Sequence, residues 1–186
     1  MNFKKLGMDS DWVVGPSLWG TFKKLGIPEE NLNEAVNLYR ERYNVKGYLE
    51  NSVYVGIPGQ LAMLLEMGYV LSLATSKPTV SASAILEYFD LTRYFSYEFG
   101  SNLDGSLSDK SILLKHALAV TGFEPNNALM IGDRQYDIIG AKSNLIKSVG
   151  VSYGYGSTNE LREAGADLLV EKPAELAKAV QKLLPM

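Results

Sequence analysis

Cysteine is missing altogether and histidine occurs once, at His116, in a chain of 186 residues. The first absence rules out a disulfide framework, a thiol nucleophile and a zinc–thiolate site. The second rules out a relay of imidazoles or a His-rich metal site, so any metal is expected to be held by oxygen. Long apolar runs are lacking too: nothing approaches the roughly 20 residues that span a bilayer. The opening Met-Asn-Phe-Lys-Lys-Leu-Gly has no apolar stretch of the kind that directs secretion. Together these gaps predict a cytoplasmic protein with no membrane partner. Nor is one charge in surplus: 18 Lys+Arg against 21 Asp+Glu give a net charge of −3, with both signs interspersed. That balance argues against nucleic acid as a partner. What is present is 46% hydrophobic and 21% charged residues, ample for one domain or one domain with a sizeable insertion. No internal repeat or low-complexity segment interrupts it.

From Val53 onward, short apolar runs alternate with segments of helical period, the pattern of strand–helix–strand units in a parallel sheet. Strands are expected at Tyr69–Thr75, Phe95–Phe99, Ala128–Ile131, Ser148–Val151 and Asp167–Val170. Helices are expected over Ile57–Met67, with Leu61, Leu64 and Leu65 on one face and a stop at Gly68, and from Pro78, with Ala84, Ile85 and Phe89 inward. Others should run over Lys110–Val120, closing at Gly122, from about Tyr136, near Thr158–Ala164 and from Pro173. Five strands in alternation with helices predict a doubly wound α/β core. The first fifty residues differ. They show no convincing strand but a helical pattern from Pro28 to Tyr43, carried by Leu32, Ala35, Val36, Tyr39 and Tyr43. They are expected to form a small helical subdomain, punctuated by Gly15-Pro16-Ser17 and Gly47-Tyr48.

The sharpest local signal is Gly132-Asp133-Arg134-Gln135-Tyr136-Asp137, two carboxylates four apart where a strand gives way to a helix. In an open α/β sheet such a junction lies at the cleft above the strand ends, where ligands bind. Two carboxylates facing one point there repel each other by about 1 kcal/mol in water and more in a drier cleft, unless a cation separates them. Mg²⁺ suits oxygen donors of that kind. The plainer alternative is that both aspartates only complement the helix dipole. Thr75-Ser76-Lys77-Pro78 puts a hydroxyl and free N–H groups at a strand end, either a phosphate cradle or an ordinary cap. Lys110, after Asp109, either aims its ammonium into the cleft or is a solvated surface lysine. Nothing nearby in sequence orients His116, which reads as structural, and Tyr39, Tyr43, Tyr48 and Tyr54 read as packing between the helical part and the core.

In this order the pieces resemble the haloacid dehalogenase-like hydrolases, most closely the phosphoglycolate phosphatase-like branch with a helical cap. The resemblance runs through Gly15-Pro16-Ser17-Leu18, Leu38-Tyr39-Arg40-Glu41-Arg42-Tyr43, Ala74-Thr75-Ser76-Lys77-Pro78, Lys110, Ile131-Gly132-Asp133 with Asp137, Gly140-Ala141, and Gly150-Val151-Ser152-Tyr153-Gly154-Tyr155-Gly156. It implies a cap over residues 1–50 and a Rossmann-like core over 51–186. It also implies Mg²⁺-dependent hydrolysis of a small phosphomonoester. By that likeness Thr75 and the backbone of Ser76 hold the phosphoryl group, Lys110 steadies phosphate and nucleophile, and Asp133 with Asp137 holds Mg²⁺.

One departure stands out. Members of this family open with a buried strand leading into Asp-x-Asp-Gly-Thr, whose first aspartate attacks phosphorus, and this chain is expected to begin after that point. Asp9-Ser10-Asp11 has the spacing, but Trp12-Val13 replaces the Gly-Thr turn and the preceding residues are not a buried run. Asn102-Leu103-Asp104-Gly105-Ser106 has Asn at the nucleophile position and reads as a loop before Lys110. Without the first strand, those ending at Thr75 and Ile131 lose their shared neighbour. Either they close on each other, or another segment or chain fills the slot, which would favour a homo-oligomer, or the natural protein is longer than this sequence. Two further expectations remain: a non-catalytic remnant that binds a phosphorylated ligand or a protein partner, and a receiver-like signalling domain, the latter disfavoured by the helical first fifty residues.

Overall fold

The computed structural model describes residue 13 and residues 15–185; Asp9 and Asp11 lie outside them. Helix α1 (Leu18–Lys24) starts where the Ser17 hydroxyl accepts the Gly20 N–H at 3.2 Å, and α2 (Leu32–Val45) buries Leu32 and Val36. The Gly-Pro-Ser triplet, read as punctuation, is therefore the cap of a helix that its short apolar pattern did not announce. After them come α3 (Ile57–Glu66), β1 (Ser72–Pro78), α4 (Thr79–Tyr88), β2 (Tyr97–Ser101), α5 (Lys110–Thr121), β3 (Leu129–Gly132), α6 (Gln135–Ser143), β4 (Lys147–Val151), α7 (Thr158–Glu163), β5 (Leu168–Val170) and α8 (Leu176–Leu183). Alternation of strand and helix, with every pairing parallel, makes an α/β core of the doubly wound kind, preceded by a helical cap.

Several boundaries and faces differ from expectation. Strand β1 begins at Ser72 because Gly68, at φ 90°, turns the chain and Tyr69 N–H bonds the Leu64 carbonyl to finish α3. On α3, Leu64 is buried while Leu65, one step or about 100° around the helix, lies exposed. On α4, Ala82 and Leu86 are buried, whereas Ala84, Ile85 and Phe89 are only half-buried. Helix α5 ends at Gly122 in the left-handed region, as its sequence suggests.

The five strands do not form one sheet. Strands β1 and β2 pair with each other, β3, β4 and β5 form a second sheet, and among the described residues β1 and β3 do not bond. The two strands flanking the expected gap have therefore not closed on each other. Helices join the halves instead. On one face Leu71 beside β1 and Leu129 and Ile131 on β3 pack against a shared cluster of Leu64, Ala177 and Val180 from α3 and α8. On the other, Ala74 and Met130 share Leu114 and Ala141 from α5 and α6. Alternate side chains of β3 thus face opposite helix layers, as a pleated strand requires.

Candidate active site

The C-terminal ends of β1 and β3 and the helix starts after them bring the candidate residues to one end of the core. Lys110, the first residue of α5, is buried, its side chain 7% exposed, and its Nζ stands 3.0 Å from Asp137 Oδ1. That excludes the solvated-lysine alternative. The same ammonium donates to the Ala74 carbonyl at 2.8 Å. Because the Leu71 carbonyl accepts the N–H of Ser96, just before β2, and carbonyls alternate along a strand, the Ala74 carbonyl faces away from β2, toward the β3 side. Lys110 thereby occupies a backbone acceptor that lacks a strand partner. Its stem lies along α6, where a Cβ added at Gly140 would stand 2.7 Å from Lys110 Cγ.

The two aspartates diverge. Asp137 gives Oδ1 to Lys110, while its Oδ2 accepts the Arg134 N–H at 3.2 Å, capping α6. Asp133 turns toward the segment after β4: its Oδ2 accepts the Tyr155 N–H at 2.8 Å, and side chains at Gly154 or Gly156 would collide with it. The other Asp133 oxygen accepts no hydrogen bond among the described residues. Thr75 Oγ1 accepts the Lys77 N–H at 3.2 Å, so its hydroxyl does fold the strand end, as a cap would. Ser76, Lys110, Ser17, Ser108 and Tyr136 line a cavity of about 230 Å³. A larger groove of about 620 Å³, against Gln135, Lys142 and Glu160, touches none of Thr75, Lys110, Asp133 and Asp137.

Mg²⁺ is typically bound by one or two carboxylates and several waters, so the donor set can be tested against it. No group of three or more acidic or His side chains shaped for a metal occurs among the described residues. Asp133, with a carboxylate oxygen to spare, fits a hydrated Mg²⁺. Asp137 fits as a second donor only through competition with Lys110.

Sequence reasoning missed several neighbours. Tyr54 and Tyr153 meet edge to face at 5.3 Å beside Asp133. Burial, then the Asp133 carboxylate, then Tyr54 push the Tyr153 hydroxyl up to about 12. Arg134 is buried, its Nε 2.8 Å from Glu160 Oε1, which also accepts the Gln135 N–H at 2.9 Å. Burial alone would raise the Glu160 carboxyl, but these bonds outweigh it and hold it below the usual carboxylate range. Lys77 donates to the Tyr43 hydroxyl at 2.7 Å and sits 4.3 Å above that ring, and the Trp19 ring lies against Gly105. Tyr43 and Trp19 thus tie the helical first part to the core. The 102–106 stretch is a self-contained turn, Asn102 bonding Ser106 at 2.8 Å, and exposed His116 packs on Phe99 away from the site. The repeated Tyr-Gly of residues 153–156 is the available signal for Tyr153 and Tyr155.

The profile of the haloacid dehalogenase-like hydrolases matches residues 8–151. A 5′-nucleotidase of Pseudomonas aeruginosa is 42% identical over 165 residues, 85% of this chain and 75% of that protein. Phosphoglycolate phosphatase 1 of the same organism is 26% identical over 171 residues, 92% of this chain and 62% of that protein. A crystal structure described as a predicted phosphatase from Clostridium acetobutylicum superimposes with a TM-score of 0.90 at 42% identity, covering 92% of this chain and 80% of that one. Among the first curated relatives it matches, the chain spans from 49% to 75% of their length. With the alternating parallel core, the cap and the Lys110–Asp137 pair already in place, these matches establish that the chain belongs to the haloacid dehalogenase-like hydrolase family.

Proposed function

We propose that this chain carries the phosphate- and cation-binding site of a phosphomonoester hydrolase. The observation that carries this is the buried Lys110–Asp137 pair at the β1 and β3 ends, with an Asp133 oxygen that accepts no hydrogen bond among the described residues close in sequence at the same junction. The Thr75 hydroxyl and the Ser76 backbone hold the phosphoryl group, and Lys110 balances its charge from the Ala74 side. Helices α1 and α2 act as the cap, closing through Tyr43 on Lys77 and Trp19 on Gly105. Asp133 and Asp137 would hold Mg²⁺, which when bound supplies charge neutralisation at the phosphate. The names of the relatives bracket the substrates as small phosphomonoesters, aliphatic or nucleoside.

No aspartate among the described residues stands free between Thr75, Lys110 and Asp133 to attack phosphorus. We therefore expect the 186-residue chain by itself not to hydrolyse p-nitrophenyl phosphate in the presence of Mg²⁺. Turnover that vanishes in Asp133→Asn would contradict this and direct attention to Asp9 and Asp11. The second proposal, a non-catalytic binder of phosphorylated ligands, shares the same pocket and is favoured by the lack of such an aspartate among the described residues.

A further inference from the structure

The turn between Asp133 and Asp137 is gripped from α7 and from the segment leading into it. Tyr155 N–H donates to Asp133 Oδ2 at 2.8 Å, and Gly154 and Gly156 lie too close to Asp133 to carry side chains. A few residues on, Glu160 Oε1 accepts both the Arg134 Nε–H at 2.8 Å and the Gln135 N–H at 2.9 Å. Arg134 in turn gives its own backbone N–H to Asp137 Oδ2 at 3.2 Å. Residues 154–160 therefore hold Asp133 directly and Asp137 through Arg134. The ion pair at the centre of this grip is sheltered, with the side chains of Arg134 and Glu160 8% and 21% exposed.

What Glu160 forgoes shows which helix it serves. Ser157-Thr158-Asn159-Glu160 has the form of a capping box, and the first half of the box is made: Ser157 Oγ accepts the Glu160 N–H at 3.1 Å. In the second half the glutamate carboxylate would reach back to the N–H of the capping serine. Among the described residues Glu160 makes no such bond, and its carboxylate crosses to α6 instead. Helix α7, six residues long, thus gives up a bond at its own start, although so short a helix has little stability to spare. The turn between the two aspartates gains two bonds, one to a side chain and one to the backbone, which together fix its orientation.

We propose that Glu160 is a positioning residue for the cation site: through Arg134 and the Gln135 N–H it holds the turn in which Asp133 and Asp137 keep the orientation that binds a divalent cation. It touches neither cation nor phosphate. The inference rests on the cation site proposed above.

Mn²⁺ binding to the full chain, followed by loss of the free-ion electron paramagnetic resonance signal, tests it, with thermal melting alongside. Glu160→Ala should weaken Mn²⁺ binding about tenfold or more, as loss of an outer partner of a metal ligand typically does. Glu160→Gln keeps an acceptor oxygen for both donors and should lose distinctly less. Ser157→Ala removes the cap of the same helix, so it should lower Tm and leave Mn²⁺ affinity at the parent value. Unchanged affinity in Glu160→Ala would overturn the proposal. So would an equal loss in Glu160→Gln, which would leave charge alone as the cause. A loss in Ser157→Ala as large as that in Glu160→Ala would also overturn it, by tracing the effect to the stability of α7. Each of these results leaves the cation site standing, whereas a parent chain that binds no Mn²⁺ would remove that site and this inference together.

Discussion

Replacing Lys110 by Met should be among the most destabilising single changes in the core. The ammonium at 3.0 Å from Asp137 Oδ1 has side chains only 7% and 12% exposed. At an effective dielectric near 20 their attraction is about 5 kcal/mol, opposed by the cost of taking both charges out of water. What the single substitution measures is therefore not the attraction but the penalty of stranding Asp137, about 3 to 5 kcal/mol for a buried pair broken from one side. The Ala74 carbonyl, left without its 2.8 Å donor, belongs to the same loss. Against a total stability of about 5 to 15 kcal/mol this is a large share, and it corresponds to a fall in Tm of about 6 to 20 °C for a chain of this size. Urea unfolding of Lys110→Met, Asp137→Asn and the double variant measures it. The double variant should be more stable than the two separate losses add up to, with a coupling of at least about 2 kcal/mol. A loss below about 1 kcal/mol in Lys110→Met, typical of a surface pair, or strict additivity in the cycle, would refute the reasoning.

Two further outcomes follow from the same geometry. Gly140→Ala lies inside α6, where alanine ordinarily stabilises a helix by about 0.5 to 1 kcal/mol. Here the new Cβ would stand 2.7 Å from Lys110 Cγ and 3.0 Å from its backbone carbonyl carbon, so thermal melting should show a lower Tm, not a higher one. The second concerns alkaline pH. The Tyr153 hydroxyl, raised from 10.0 to about 12, contributes stability that is complete below pH 10 and is lost as pH climbs toward 12. Ultraviolet titration should show a tyrosine ionising near pH 12, absent in Tyr153→Phe and shifted down, though still late, in Asp133→Asn. A Tyr153→Phe curve that overlays the parent would contradict the burial assigned to it.

The parts of the fold legible in the sequence were those with a strong local period or a strong stop. Strand β3 and helix α6 announced themselves because an apolar run ends in Gly132 and two carboxylates follow, and α5 because Asp109 caps it and Gly122 ends it. Helix α1 escaped because seven residues hold too few repeats for a period, leaving only the Ser17 cap. Leu65 departs from expectation because a short periodic pattern fixes the apolar stripe only to within about one 100° step, and Leu65 falls just outside it while Leu64 is buried. The candidate site was legible in its residue types but not in its pairings. Nothing local says that Lys110 will reach Asp137 and the Ala74 carbonyl, or that Asp133 will turn to Tyr155. Tyr54 was assigned to packing, which its contact with Tyr153 satisfies, but its nearness to Asp133 depends on a chain separation of about eighty residues that only the folded sheet closes.

The most direct test of a shared cation and phosphate pocket is a ³¹P relaxation measurement with Mn²⁺ in place of Mg²⁺. Phosphate bound to the chain should broaden well beyond a protein-free control, and Asp133→Asn should return it to the control while leaving the protein folded. Broadening undiminished in Asp133→Asn would place the metal elsewhere and contradict the pocket assigned to Thr75, Lys110, Asp133 and Asp137.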